Sequence, residues 1–314
     1  MLNLFFIGGA GFLGSGIIET MLKTSQCKVV VLEPLYANVS RLDGLNVTLL
    51  RGNLSDLDLI EIVLKQHHID KVVHLVSTMV PGCGYDEYKQ EFENVIFPTI
   101  RLMQLCSRMN IQFVFFSSGG TVYGERKTLE PFVETDPKEP ISYYGLSKQM
   151  IENSIQFEHR VSGLNYLIFR PSNPYGHGQN IHGRQGLIAV ALGRILEGEP
   201  ITIWGDGSSV RDYIYIDDLT HIVSVLINSG IMNKIINIGS GEGHSVNQIV
   251  AILKEVVSEE VKVDYTPSRK NDVSNIILSN EELYKYVDFK LTPLKEGIAL
   301  FYKTIKQSII GNGK

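Results

Sequence analysis

The sequence predicts an α/β fold: a doubly wound parallel sheet with a smaller, mixed C-terminal lobe. Three observations carry that prediction. The first half alternates short β-branched and aromatic runs with amphipathic stretches at helical spacing. Those apolar runs lack the polar alternation of a half-exposed strand, so helices must cover both faces of each. After Pro171 the rhythm is broken by turn-rich segments, Asn173-Pro174-Tyr175-Gly176-His177-Gly178-Gln179-Asn180 and Gly205-Asp206-Gly207-Ser208-Ser209.

In chain order, residues 2–7 read as a buried strand and 12–23 as the helix that follows it. Residues 28–32, 47–50, 71–76, 112–116 and 166–170 are further apolar runs of strand length. Between them, 56–66, 87–108 and 144–161 carry apolar residues at helical intervals. Strand, helix, strand in repetition is the pattern of parallel pairs joined by right-handed crossovers. Beyond the turn-rich stretch, helices are expected at 186–197, 245–257 and 293–305, alternating with short strands. The expected domains are 1–172, with 210–240 returning to the sheet, and 173–314. No repeat, low-complexity tract or Gly/Ser linker interrupts the chain.

The composition narrows the function classes. With 314 residues, 44% hydrophobic and 20% charged, the chain has the makeup of one large or two coupled globular domains. The 29 Lys+Arg against 34 Asp+Glu argue against nucleic-acid binding through a general basic surface. An anionic ligand must therefore be held by a few placed arginines. Cys27, Cys83 and Cys106 share no ligand spacing, which points to a reducing, cytoplasmic setting rather than a disulfide framework. The eight histidines form no HExxH, and no metal site is read. The apolar start lacks a basic leader, carries Glu19 and is rich in glycine, unlike a secretory helix. No run of about 18 apolar residues suggests a membrane span.

Phe6-Ile7-Gly8-Gly9-Ala10-Gly11-Phe12-Leu13-Gly14 lies between the first strand and the first helix. Glycines at this spacing permit a tight turn, let the backbone approach a diphosphate and bring helix and strand close together. The helix amino end then faces the anion. Glu33, 19 residues after Gly14, follows the second strand, where a carboxylate accepts from both ribose hydroxyls and repels a 2′-phosphate. The expected cofactor is therefore NAD rather than NADP.

A tyrosine one helical turn before a lysine can act as a base toward an alcohol, because the ammonium and a bound pyridinium both favour phenolate. Five pairs have this spacing: Tyr85/Lys89, Tyr123/Lys127, Tyr144/Lys148, Tyr286/Lys290 and Tyr302/Lys306. Only Tyr144 opens a long helix after a strand that ends in Ser117-Ser118, and the carboxyl edge of an open α/β sheet is where ligands bind.

With these motifs the chain resembles an extended short-chain dehydrogenase/reductase of the NAD-dependent epimerase/dehydratase group, most like UDP-sugar 4-epimerases. The likeness also rests on Val73-His74-Leu75, Asn94-Val95, Ser117-Ser118-Gly119-Gly120-Thr121-Val122-Tyr123-Gly124, Arg170-Pro171-Ser172-Asn173, Arg211-Asp212-Tyr213 and Asp217-Asp218. It implies a Rossmann-type domain whose cofactor is lined by Gly8, Gly11, Phe12, Leu13, Gly14, Glu33, Asn53, Leu54, Leu75, Asn94 and Lys148. It implies Tyr144 as the base, Lys148 as its tuner and Ser118 against the reacting sugar oxygen, with Thr121 as a substitute. Asn173 and Arg211 would meet a UDP-sugar diphosphate, with Arg269 as a second clamp and Asp272 on the uridine ribose. Thr202 and Trp204 would border the base through their backbone. Two departures stand out: Asn53 replaces an aspartate frequent near adenine, and Gly119 falls where some epimerases carry a catalytic Ser or Thr.

Gly119-Gly120-Thr121 lacks the carboxylates that the group's dehydratases and decarboxylating members carry before Val-Tyr-Gly. The resemblance therefore implies 4-epimerisation of a UDP-hexose through a 4-keto sugar. The alternatives are a one-way nucleotide-sugar 4-ketoreductase and a catalytically silent dinucleotide-binding regulator. Ile276, near the family position that gates the C2 substituent, implies room for an N-acetyl group. Relatives pair through the helices matching 87–108 and 144–161, which implies a homodimer.

Overall fold

The computed structural model describes residues 1–183, 185–268 and 275–312. Its strands are β1 (Leu2–Ile7), β2 (Cys27–Glu33), β3 (Val47–Arg51), β4 (Lys71–His74), β5 (Gln112–Phe116), β6 (Tyr166–Pro171), β7 (Asn173–Tyr175), β8 (Ile201–Trp204), β9 (Val210–Tyr215), β10 (Lys234–Ile238), β11 (Gly243–Ser245), β12 (Val263–Thr266) and β13 (Asn275–Ile276). Its helices are α1 (Phe12–Thr24), α2 (Leu57–Gln66), α3 (Tyr85–Glu91), α4 (Phe97–Arg108), α5 (Gly119–Val122), α6 (Tyr143–Ser162), α7 (Leu187–Leu196), α8 (Ile216–Asn228), α9 (Val246–Val256) and α10 (Leu294–Asn312). None of the described helices is long and apolar enough to cross a membrane.

The unalternating apolar runs become a seven-stranded sheet in the order β10-β6-β5-β4-β1-β2-β3. Its strands β1 to β6 pair in parallel, with Ile7 beside both Leu32 and His74, and Phe116 beside Phe169. Phe5, Val72, Phe113, Phe115 and Ile168 join residues of α2, α4 and α6 in one buried cluster, as the sequence pattern requires of strands covered on both faces. The strand order reverses between β1 and β4, so the carboxyl ends of β1, β2, β4 and β5 surround the switch point.

Contacts divide the described chain into two units: Met1–Val122, Lys138–Arg170 and Thr220–Ile236 in the first, and Tyr123–Pro137, Pro171–Leu219 and Asn237–Lys314 in the second. Residues 123–137, which the sequence reading assigns to the first domain, fall in the second unit, and the returning segment is 220–236 rather than 210–240. In the second unit β9 pairs with β11, β13 and β7, while β8 and β12 form a separate parallel pair.

Two elements differ from the sequence expectation in ways that shape the site. β4 stops at His74 rather than residue 76, because Ser77 and Thr78 turn to bond the Glu91 carboxylate instead of continuing along the sheet. The single helix expected at 87–108 is instead α3, a π-helical turn (Phe92–Ile96) and α4. Pro98 explains the break: it has no N–H to offer the Asn94 carbonyl, and the Phe97 N–H bonds Phe92 O one residue further back.

Candidate active site

The glycine loop fits a dinucleotide diphosphate. Gly8 has φ +82°, a conformation that a side chain rarely adopts, and a Cβ on Gly14 would lie 2.6 Å from Gly9 O. A Cβ on Gly11 would meet nothing closer than Gly8 O at 3.9 Å, so that space is open to a ligand. Gly11 gives α1 no side-chain cap, and the first turn has no acidic residue, which leaves amide donors for an anion. Glu33 is buried at the end of β2 and accepts from Ala10 N–H at 2.6 Å, tying the loop to the end of that strand. Burial pushes the Glu33 carboxyl above its ordinary range, against the Ala10 hydrogen bond and the Arg51 charge.

Tyr144 and Lys148 sit one turn apart on α6, which Ser142 caps by accepting from Gly145 N–H at 3.1 Å. The backbone must come close here, since a Cβ on Gly145 would lie 2.6 Å from Thr121 O. Lys148 is buried, donates to Phe116 O at 3.1 Å and lies 5.6 Å from the centre of the Tyr144 ring. Ser118 lies beside the Tyr144 phenol, where its hydroxyl favours the ionised form. Thr121 Oγ1 is buried and finds no partner among the described residues. The remaining Tyr/Lys pairs are otherwise engaged: Tyr123 donates to Asn237, Tyr286 to Glu282, and Tyr302 and Lys306 both hold Glu259, while Tyr85 is exposed.

A phenol beside an ammonium is expected to ionise more easily, yet burial, followed by the charge of Glu91, pushes Tyr144 up to about 12 against the Ser118 hydroxyl. Burial also pulls Lys148 down to about 8, although Glu91 and Glu152 favour its charged form. His74, fully buried with Nε2 2.9 Å from Thr99 Oγ1, is driven by burial and Lys148 to about 3 and is neutral.

Two buried carboxylates near this pair escape motif reading. Glu152 is clasped by Arg170 through two contacts, at 3.0 and 2.7 Å, with Lys138 at 3.1 Å. Burial raises its carboxyl, but the Arg170 hydrogen bond and charge outweigh burial and hold it low. Glu91 is buried because it ends α3 just before the π turn. The only sequence signal for it is Pro98 inside an otherwise helical run.

In the second unit, Asn173 and Arg211 line one cavity of about 220 Å³ together with Gly186, Leu187, Ser209 and Tyr213. Asn173 Nδ2 donates to Asp212 O at 2.8 Å, and Arg211 Nη1 to Val210 O at 2.9 Å. The amino end of α7 opens on this cavity, with no side-chain cap and no acidic residue in its first turn. Motif reading misses that end, because Gly186 belongs to no recognisable pattern.

The other expected positions distribute as follows. Phe12 and Leu13 begin α1, Asn53 follows β3 in an exposed position, and Leu54 packs its side chain into the core. Leu75 N–H donates to Ile7 O at 3.0 Å. Asn94 is exposed on the π turn with its amide donated to Gln90 O at 2.9 Å, since one extra residue in the turn rotates its direction by about 100°. Thr202 and Trp204 lie on β8, with Thr202 Oγ1 accepting from Arg194 at 2.7 Å. Ile276 is buried on β13. Arg269 and Asp272 lie outside the described residues.

Comparison with known proteins follows this geometry. The sequence profile of the NAD dependent epimerase/dehydratase family matches residues 4–239. A putative UDP-glucose 4-epimerase of Methanocaldococcus jannaschii is 30% identical over 292 residues, covering 93% of this chain and 94% of its own. A dTDP-4-dehydro-6-deoxyglucose reductase of Escherichia coli is 31% identical over 312 residues, covering 97% and 98%. The structure of Thermotoga maritima UDP-glucose 4-epimerase with UDP-glucose superposes with TM-score 0.91 at 30% identity, covering 98% of this chain and 100% of that one. With its glycine loop, Glu33 and Tyr144/Lys148 at one sheet edge, the chain belongs to the NAD-dependent epimerase/dehydratase family, as an enzyme whose cofactor is NAD.

Proposed function

We propose that this enzyme interconverts the C4 epimers of a UDP-hexose through a 4-keto sugar. The observation that carries the reading is Tyr144, one turn from Lys148 and 5.6 Å from its ammonium by ring centre, with Ser118 beside it at the carboxyl end of β5. When bound, NAD supplies the hydride acceptor and donor for C4. Tyr144 Oη takes the proton of the C4 hydroxyl and returns it to the C4 oxygen once the 4-keto sugar has turned its other face for reduction. Ser118 bridges the phenol and that oxygen, with Thr121 Oγ1 as the second hydroxyl within α5. Lys148, fixed by Phe116 O, supplies positive charge that favours the phenolate.

Turning the sugar over requires that its nucleotide stay anchored. Arg211, Asn173 and the uncapped amides of α7 form an anion-binding set suited to the diphosphate. Gly119-Gly120-Thr121 supplies no carboxylate for the acid/base pair that water elimination needs. Isothermal titration tests the anchor. UDP is expected to bind, and Arg211→Ala to weaken it by about 2–5 kcal/mol; unchanged affinity in the variant would contradict this assignment.

A one-way 4-ketoreductase is the second reading. The Escherichia coli reductase matches nearly the whole chain, and a neutral Tyr144 is the form that gives a proton to a carbonyl oxygen. Reduction of a 4-keto sugar with net consumption of NADH marks that activity. A homodimer is also proposed, resting on the exposed Phe97 of α4 and Phe157 and Val161 of α6, and a cytoplasmic setting, resting on the free thiols of Cys27, Cys83 and Cys106.

A further inference from the structure

His244 stands beside the diphosphate anchor and has no role in the chemistry above. It is the middle residue of β11, which runs antiparallel to β9 with Gly243 opposite Asp212, His244 opposite Arg211 and Ser245 opposite Val210. Side chains alternate along a strand, and one face of β11 is already filled. A Cβ on Gly243 would lie 2.5 Å from Ile277 Cδ1 and 2.6 Å from Val210 Cγ1. His244 therefore projects on the face that carries Arg211, with the two Cβ atoms about 4.5–5.5 Å apart, as for any directly opposite pair. Arg211 and Tyr213 share that face and line the cavity of about 220 Å³, as does Val246, two residues beyond His244. The strand is fastened in this register: Ser245 Oγ accepts from Gln248 N–H at 3.1 Å, and Ser245 N–H donates to Gln248 Oε1 at 2.7 Å.

We propose that His244 is a positioning residue for Arg211, its Nδ1 accepting a guanidinium N–H when Arg211 extends to the nucleotide diphosphate. The inference deepens the proposed anchor and rests on it. His244 Nδ1 is buried and finds no partner among the described residues, a state that buried polar atoms rarely keep. Directly across from it is a side chain made only of donors, and Arg211 Nη1 is turned back along its own strand to Val210 O at 2.9 Å. Because Nδ1 is covered, a phosphate oxygen would have to displace a neighbouring side chain to reach it, whereas the guanidinium starts from the facing position. With the ring proton on Nε2, Nδ1 offers the lone pair that this contact needs. A guanidinium held at one N–H is fixed in plane, which leaves its other N–H groups to meet two phosphate oxygens side by side. A nucleotide anchored in that way stays in place while its sugar turns.

Isothermal titration with UDP over a double-variant cycle tests this. His244→Phe keeps a ring and removes the acceptor, while His244→Asn places an amide oxygen near the position of Nδ1. His244→Phe is expected to weaken UDP about 10-fold, and His244→Asn to stay within about threefold of the parent. In an Arg211→Ala background, His244→Phe is expected to weaken UDP no further, since the group it serves is gone. A merely structural role would weaken UDP by the same factor in both backgrounds. That result, parental affinity in His244→Phe, or a His244→Asn protein as weak as His244→Phe each overturns the proposal. If His244→Phe does not fold, His244→Ala takes its place with the same outcomes. Failure of the parent itself to bind UDP would instead defeat the nucleotide assignment, and this inference with it.

Discussion

At Tyr144, burial and the Glu91 charge prevail over the Ser118 hydroxyl, so NAD-free protein holds the phenol neutral. Behind it, the Glu152 carboxylate depends on Arg170 for its charge compensation. Because the folded Glu152 carboxyl is held below its unfolded value, its contribution is present above the ordinary carboxylate range and is lost as pH falls. Arg170→Met leaves that buried carboxylate with Lys138 as its charged partner and is expected to cost about 3–5 kcal/mol in urea unfolding at neutral pH. The deficit should narrow below about pH 4, where a protonated Glu152 no longer needs a cation. A deficit that stays constant with pH would show that Arg170 acts through packing alone. Glu33 and Tyr144 were legible as residues because each sits at a fixed distance from a local motif. Glu91 was not, because its burial depends on a wide turn that Pro98 imposes on its helix.

Among the elements, the glycine loop separates two roles that one motif contains. Gly14 is required by the fold, since an added Cβ would meet the Gly9 backbone, whereas Gly11 faces open space. Gly14→Ala is expected to lower Tm, and Gly11→Ala to keep Tm while weakening NAD binding; thermal unfolding and NAD titration of both variants check this. Equal effects of the two on Tm would contradict the distinction. Strand positions followed from apolar runs alone, because a strand covered on both faces shows no alternation to misread. The helix over 87–108 failed where periodicity is blind: its apolar spacing survives a π turn while the direction of Asn94 does not. The amino end of α7 was also invisible, since its lack of a cap is a property of the backbone.

For the whole molecule, the order β10-β6-β5-β4-β1-β2-β3 explains why residues far apart in sequence act together. The reversal between β1 and β4 brings the loops after β1, β2, β4 and β5 to one edge of the first unit. The second unit gathers Asn173 and Arg211 on its own cavity. Sequence order alone gave the first arrangement, through the strand–helix rhythm. It could not give the sugar, since Ile276, buried on β13, bears on an N-acetyl group only through being smaller than a tyrosine. The sugar must therefore be decided by experiment. The most direct one incubates parent and Tyr144→Phe protein with NAD and either UDP-glucose or UDP-N-acetylglucosamine, and resolves the products by chromatography. The parent is expected to form the C4 epimer without net NADH, and the variant to turn over about 10²–10⁴-fold more slowly; undiminished interconversion by Tyr144→Phe would contradict the account.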